Sequence, residues 1–351
     1  MSGIKSLSVT YDAINETNTF SYGDYISGRV TLEVDKEIKV NSFLIKAKGK
    51  ASVLWTQQCG QTTIVYHDKE TLFKSEHFFI HEKKHKENDG FSLLQDQSEM
   101  YSDVVCPGCH VYPFSFQIPQ QDMPSSFKGG AGKVVYFLEA KLTRSMRMST
   151  KDKTKFTFLS KTDVHVPDMK ESQFGTAGKK LRFLNSGNVS VNVNIDGMKY
   201  YPGTELKIMS EIQNNSSCAI TPKYCLYQKQ SFFAMKSRQV HTKDILKEKG
   251  EPIEPSTNLT VSKSLSIPSD AIPSILSNCK VLNVEYRLKV YLDIKYSRNP
   301  EIKFPLVIAA APQNTDGAAT SEALERTEPP PPYNAYSLYP TLPNPSGSSW
   351  A

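Results

Sequence analysis

Val134-Val135-Tyr136-Phe137-Leu138-Glu139-Ala140-Lys141-Leu142 and the run from Val284 to Ile294 (VEYRLKVYLDI) read as one strand written twice. Both are rich in branched and aromatic residues and alternate apolar with polar at period two. Tyr136 and Tyr286 stand 150 positions apart. Upstream of each lies the same punctuation: Ile118-Pro119 with Pro124-Ser125, and Ile267-Pro268 with Pro273-Ser274, at an offset of 149. Earlier still, Tyr22-Gly23-Asp24 and Tyr201-Pro202-Gly203-Thr204 each precede a strand, at an offset of about 180. Proline ends a strand and glycine permits the tight turn that opens one. The spacing therefore describes two homologous domains, since solenoid periods are shorter. The first half carries roughly 30 more residues, which the charged stretch Tyr66 to Val105 is expected to hold.

Further strands follow the same rule at Ile4–Tyr11, Tyr25–Val34 and Val40–Lys48. Helix candidates are short, as near Ser231–Ser237. The expected class is all-β, two β-sandwich domains. The first spans 1–166, a linker 167–180 (PDMKESQFGTAGKK), the second 181–310, and a tail 311–351. The tail has 8 prolines in 41 residues and few branched apolar side chains, so it is expected to be disordered or partly polyproline II.

At 351 residues the chain has room for two domains of about 150 residues. The run Pro305–Pro312 (PLVIAAAP) is too short to span a bilayer. The start, MSGIKSLSVTYD, lacks the basic-then-apolar order of an export signal, so a cytosolic location is expected. In that compartment the six cysteines are expected as thiols, and the sequons at Asn15, Asn188, Asn215 and Asn258 as chance matches. Net charge is +6, but residues 101–300 hold 28 basic and 17 acidic side chains. The densest part, 141–182, offers Lys151, Lys153 and Lys155 as a candidate contact for anionic membrane or acidic cargo tails. Nucleic acid is not an expected partner, because no aromatic platform or recognition helix accompanies the charge.

The chain resembles the arrestins, specifically the arrestin domain-containing (alpha-arrestin) branch. The likeness rests on Ser21-Tyr22-Gly23-Asp24-Tyr25-Ile26-Ser27-Gly28 and on the stretch Cys109 to Pro119 (CHVYPFSFQIP). In the second half it rests on Tyr201-Pro202-Gly203, Asn215-Ser216-Ser217 and Phe304-Pro305-Leu306-Val307-Ile308. It implies two curved sandwiches joined by a short hinge and a non-enzymatic trafficking adaptor, with no cofactor. Receptor arrestins carry a long amphipathic helix in their first domain. The stretch 91–105 (FSLLQDQSEMYSDVV) does not read as one, so gating by phosphoreceptors is not expected.

The tail adds the sharpest motif. Pro330, Pro331, Pro332 and Tyr333 form Pro-Pro-x-Tyr, behind Pro329. Four prolines preset the polyproline helix that aromatic grooves of WW domains read, with the tyrosine as second anchor. In alpha-arrestins this position recruits WW-domain HECT ubiquitin ligases to membrane receptors or transporters, which places the protein in the cytoplasm with recruitment to plasma membrane and endosomes. The family often has two such motifs; one is present here, so little avidity is expected. Tyr339, Pro340 and Leu342 resemble the Tyr-Pro-x-Leu motif read by ESCRT-associated adaptors, with plain spacer as the commoner reading of so short a string. An arrestin-fold sorting scaffold similar to the retromer subunit, acting without a ligase, is the alternative.

Two clusters suggest other chemistry. Cys106-Pro107-Gly108-Cys109, followed by His110, reads first as a turn; zinc or redox are its alternatives, since two thiols are half a zinc site. His77, His81 and His85 share a face in either periodicity and read as solvated. No nucleophile elbow or zinc-helix motif is present, and Gly129-Gly130-Ala131-Gly132 precedes a strand, not the helix a phosphate loop needs.

Overall fold

The structure is a computed structural model that describes residues 3–81, 101–160, 171–182, 186–276 and 278–310. All regular structure among them is strand. The first sandwich holds β1 (Ile4–Tyr11), β2 (Thr19–Phe20), β3 (Tyr25–Val34), β4 (Ile38–Lys39), β5 (Ser42–Cys59) and β6 (Thr62–Ile80). It continues with β7 (Val104–Val105), β8 (Gly108–Gln117), β9 (Phe127–Lys128), β10 (Gly132–Thr143) and β11 (Thr150–Phe158). The second holds β12 (Gln173–Leu181), β13 (Gly187–Ile195), β14 (Lys199–Tyr200), β15 (Glu205–Ser216) and β16 (Thr221–Ala234). It closes with β17 (Ser237–Lys249), β18 (Thr257–Ser266), β19 (Leu282–Asp293) and β20 (Glu301–Ile308).

The two topologies repeat. Sheet β1-β3-β8 faces sheet β2-β11-β10-β5-β6, and β13-β15-β18 faces β14-β20-β19-β16-β17 in the same order. The sequence punctuation becomes hydrogen bonds at matching places. Gly23 N–H donates to the Ile118 carbonyl and Ile118 N–H to the Asp24 carbonyl, both at 2.9 Å. Gly203 and Ile267 form the same clasp with Thr204, again at 2.9 Å. Gly23 and Gly203 both take left-handed φ, 79° and 81°, where a side chain would be strained. The Tyr136 hydroxyl, fully buried, donates to the Pro124 carbonyl at 2.6 Å; the Tyr286 hydroxyl donates to Ile272 at 2.9 Å. Ser125 Oγ accepts the Ser160 N–H and Ser274 Oγ the Ile308 N–H, each at 3.0 Å, so each serine ties down the end of its domain's last strand.

Two expectations are corrected. Ser231–Ser237 is no helix: it is the end of β16, a two-residue turn and the start of β17. Met235 and Lys236 both take left-handed φ (50° and 63°), as a tight hairpin turn requires, and Phe232 is locked between Gln239 and Leu282 by pairing on both sides. The linker 167–180 also yields most of its length to β12. Gln173–Leu181 runs antiparallel along the edge of β13, where its exposed and half-buried residues alternate, and gives the second sandwich an edge strand that β1 lacks. Part of the extra length of the first half lies in the β5–β6 hairpin, 18 and 19 residues against 14 and 13 in β16 and β17. The remainder of that interval, 82–100, falls outside the described residues.

Both sandwiches belong to one compact unit, Met1–Ala311. The middle of β6 reaches the second sandwich: Glu70 Oε2 accepts the Lys280 N–H at 2.8 Å. Asn278 Nδ2 donates to Asp122 Oδ1 at 2.9 Å. The 129–132 loop lies against Gln230, His241 and Phe232 so closely that a Cβ on Gly132 would stand 2.8 Å from the Phe232 ring. Behind it runs a buried polar chain: Gln230 Nε2 donates to Gln228 Oε1 (2.7 Å), and Gln228 Nε2 to the Tyr286 hydroxyl (3.0 Å). A cleft of about 340 Å³ opens along this seam, lined from both sides by Lys128, Gln228, Gln230, Asp244 and Asp270 among others.

Candidate functional site

Lys151, Lys153 and Lys155 lie on β11 and point to solvent, while Asp152 and Thr154 are half-buried and Phe156 buried. The structure brings them together with lysines that sequence reading missed. Lys153 pairs with Glu139 and Lys155 with Phe137 on β10; Lys151 pairs with Lys141. On the other side of β10, Glu139 pairs with Lys46, Phe137 with Lys48 and Val135 with Lys50. Lys48 in turn opposes Lys74 of β6, and Ser52 opposes Lys69. Paired residues share a face, so four adjacent strands present one lysine-rich sheet face. Glu76 and Glu139 are the acids among these pairs. Glu76 already holds Lys46 at 3.0 Å and Lys74 at 2.9 Å, and those hydrogen bonds, Lys74's first, keep its carboxyl below the usual range.

The crowding is visible in the titration of the lysines. Burial, then the neighbouring Lys69, Lys48 and Lys133, push Lys50 below its ordinary value. Lys153 is lowered by burial first, with Lys50, Lys155 and Lys133 adding to it against Glu139. Its ammonium sits 3.2 Å from the centroid of the Phe137 ring, which anchors the stem and fixes the charge above the sheet. Like charges directly across strands, Lys48 with Lys74 and Lys141 with Lys151, destabilise a sheet. The arrangement is a sheet face of closely spaced lysines with two acids among them. The signal that would have found it is the repeated spacing: Lys46-Ala47-Lys48-Gly49-Lys50 and Lys151-Asp152-Lys153-Thr154-Lys155 place a lysine at every second position, one face of a strand.

The other candidates separate. Cys106 and Cys109 are both exposed thiols, and the His110 ring nitrogen Nε2 is hydrogen-bonded to the Cys106 carbonyl at 2.8 Å. Among the described residues no group of three or more His, Cys, Asp or Glu is placed to hold a metal. His77 packs edge-on against Phe79 and His81 stacks on Phe78; His85 lies outside the described residues. So do Pro330, Pro331, Tyr333, Tyr339, Pro340, Leu342 and the stretch 91–100. Among the described residues no helix is long and apolar enough to cross a membrane.

Paired β-sandwiches of this repeated topology, joined along a seam, define an arrestin-type module. Residues 7–165 match the family model for "Arrestin (or S-antigen), N-terminal domain" and 185–313 the one for "Arrestin (or S-antigen), C-terminal domain". The chain belongs to the arrestin family, in its arrestin domain-containing (alpha-arrestin) branch. It is 30% identical to thioredoxin-interacting protein of Rattus norvegicus over 316 residues, 88% of this chain and 74% of that one. The Homo sapiens protein of the same name is also 30% identical, over 88% of this chain and 75% of its own. Arrestin domain-containing protein 4 of Homo sapiens is 28% identical over 321 residues, 91% and 74% of the two chains. Membership in this family of non-enzymatic adaptors agrees with a chain that binds and does not catalyse.

Proposed function

We propose that this protein is a cytosolic trafficking adaptor that recruits WW-domain HECT ubiquitin ligases to membrane receptors or transporters and so promotes their ubiquitination, endocytosis and endosomal sorting. The observation that carries the reading is Pro330-Pro331-Pro332-Tyr333, placed beyond the last strand of an alpha-arrestin module. The module supplies the cargo side. Its lysine face suits an acidic cargo tail: it is a pleated surface on which Lys153 covers the Phe137 ring. Tyr339, Pro340 and Leu342 are the position for an ESCRT-associated adaptor.

Calorimetry of the full chain against a panel of WW domains tests this reading. Binding to some of them, lost in Tyr333→Ala, is expected. Equal binding by the variant, or none by either chain, would overturn ligase recruitment and leave the arrestin-fold sorting scaffold. For the cargo side, an acidic peptide should bind the full chain with an affinity that falls as salt rises.

A further inference from the structure

The turn between β10 and β11 recurs between β19 and β20. Met146 and Tyr296, 150 residues apart, take the same left-handed backbone, φ 55° and 58°. Both turns stand at the strand ends remote from the seam. β10 starts at Gly132, against Phe232, and twelve residues at about 3.3 Å each carry it roughly 40 Å away.

What differs is the chemistry at the first tip. Met146 and Met148 are both wholly in solvent, at 101% and 94% exposure. Single exposed apolar side chains are ordinary, but two long ones in one tight turn are not expected of a surface that meets only water. They stand among cations. Arg144 and Arg147 belong to the same turn and, with Lys36 and Lys39, line a hollow of about 490 Å³ whose one acid is Glu37. Arg144 and Arg147 line the same hollow, and burial first and Arg147 second push Arg144 down from its ordinary value. Tyr296 is also exposed, at 89%, but it is the one exposed large apolar side chain of its turn, between Lys295 and Arg298.

We propose that the 144–148 tip of the first sandwich docks on an anionic phospholipid bilayer. Met146 and Met148 enter the headgroup–acyl boundary, and Lys36, Lys39 and Arg147 meet the headgroup charges around them. Apolar projections inside a cationic ring fit this one surface: the area buried in lipid and the charge attraction add. An acidic peptide would use the ring and leave both methionines in water. The lysine face continues toward the tip through Lys141 and Lys151, so cargo tails emerging from the same membrane would meet it.

Co-sedimentation of the full chain with phosphatidylcholine vesicles, with and without phosphatidylserine, tests the proposal without any ligase. Wild type should partition to the phosphatidylserine vesicles. Met146→Asp with Met148→Asp should cut that partition about tenfold or more, while Tyr296→Ala changes it about twofold at most. Lys39→Gln and Arg147→Gln should each cost about fivefold. Met146→Trp should show blue-shifted emission with phosphatidylserine vesicles and not with phosphatidylcholine alone. All these side chains face solvent, so melting temperatures should hold and a partition loss cannot be ascribed to unfolding. Wild-type partition by the double Asp variant, a loss confined to Lys151→Gln, Lys153→Gln and Lys155→Gln, or no partition by wild type would each overturn it. So would tip variants that lose an acidic peptide while keeping their vesicles, which would mark the tip as a protein contact.

Discussion

Single residues on the lysine face stand in arrangements that cost stability. Lys48 opposes Lys74, and Lys50 is held below its ordinary value by burial and three lysines. Each such like-charge pair costs a few tenths of a kcal/mol to about 1 kcal/mol. Lys48→Gln with Lys50→Gln should therefore raise the melting temperature by about 1 to 3 °C and weaken an acidic peptide about tenfold or more. A lower melting temperature, or an unchanged affinity, would show that the face is not strained for binding. The thiols give a pH test. Burial first, and Asp244 second, push Cys225 up to about 11, and burial pushes Cys279 up to about 11. A raised thiol favours the protonated native state. Its contribution is full below the unfolded value and is lost as pH rises through about 11. Cys59, Cys106 and Cys109 are exposed and should react with Ellman's reagent at once in mild alkali, whereas Cys225 and Cys279 should wait for denaturant. Five fast thiols would contradict the burial described.

At the scale of elements, the repeated punctuation explains why so much of the fold was legible. Ile-Pro, Pro-Ser and the strand tyrosine are spaced alike because they form one device: tyrosine hydroxyl to the carbonyl before or at the second proline, serine hydroxyl to the last strand. Removing the hydroxyl in Tyr136→Phe leaves the Pro124 carbonyl in the core without that donor, which should cost about 1 to 2 kcal/mol in urea unfolding. Tyr286→Phe should cost less although the Ile272 carbonyl and the Gln228 amide both lose a partner, because both line the seam cleft, where water can take the hydroxyl's place. Equal stability of Tyr136→Phe with wild type would deny the device. What sequence did not show were elements made by their neighbours. Gln173–Leu181 has the glycine and charge of a linker and becomes a strand because the β13 edge offers it a partner. Ser231–Ser237 is a hairpin end fixed by pairing on both sides. The lysine face failed to show because its strands are adjacent in space but nearly a hundred residues apart in the chain, with Lys50 and Lys153 on either side of β10.

For the whole molecule, the decisive feature is the seam between the two sandwiches. It joins polar contacts, Glu70 with Lys280, Asp122 with Asn278 and the Gly130 N–H with Gln230, to the close packing of the 129–132 loop against Phe232. Interfaces between domains of one chain permit relative motion unless they are large and apolar. Each sandwich buries its own aromatic set, Tyr136 with Phe158 and Phe20 in one, Tyr224, Phe232 and Tyr286 in the other. A side chain forced into the seam is expected to part the sandwiches and leave each half folded. Gly130→Val would push a branched side chain into the His241 ring, and Glu70→Gln weakens the clasp from the opposite side. The first should enlarge the radius of gyration in solution scattering and split one thermal transition into two, with circular dichroism unchanged; the second should do so more weakly. WW-domain affinity should not move, since the motif stands in the tail beyond β20, so a variant that keeps ligase binding yet fails to couple it to cargo would assign the coupling to the seam. An unaltered radius and a single transition in Gly130→Val would show instead that the loop yields locally and that the two sandwiches hold together by contacts other than these.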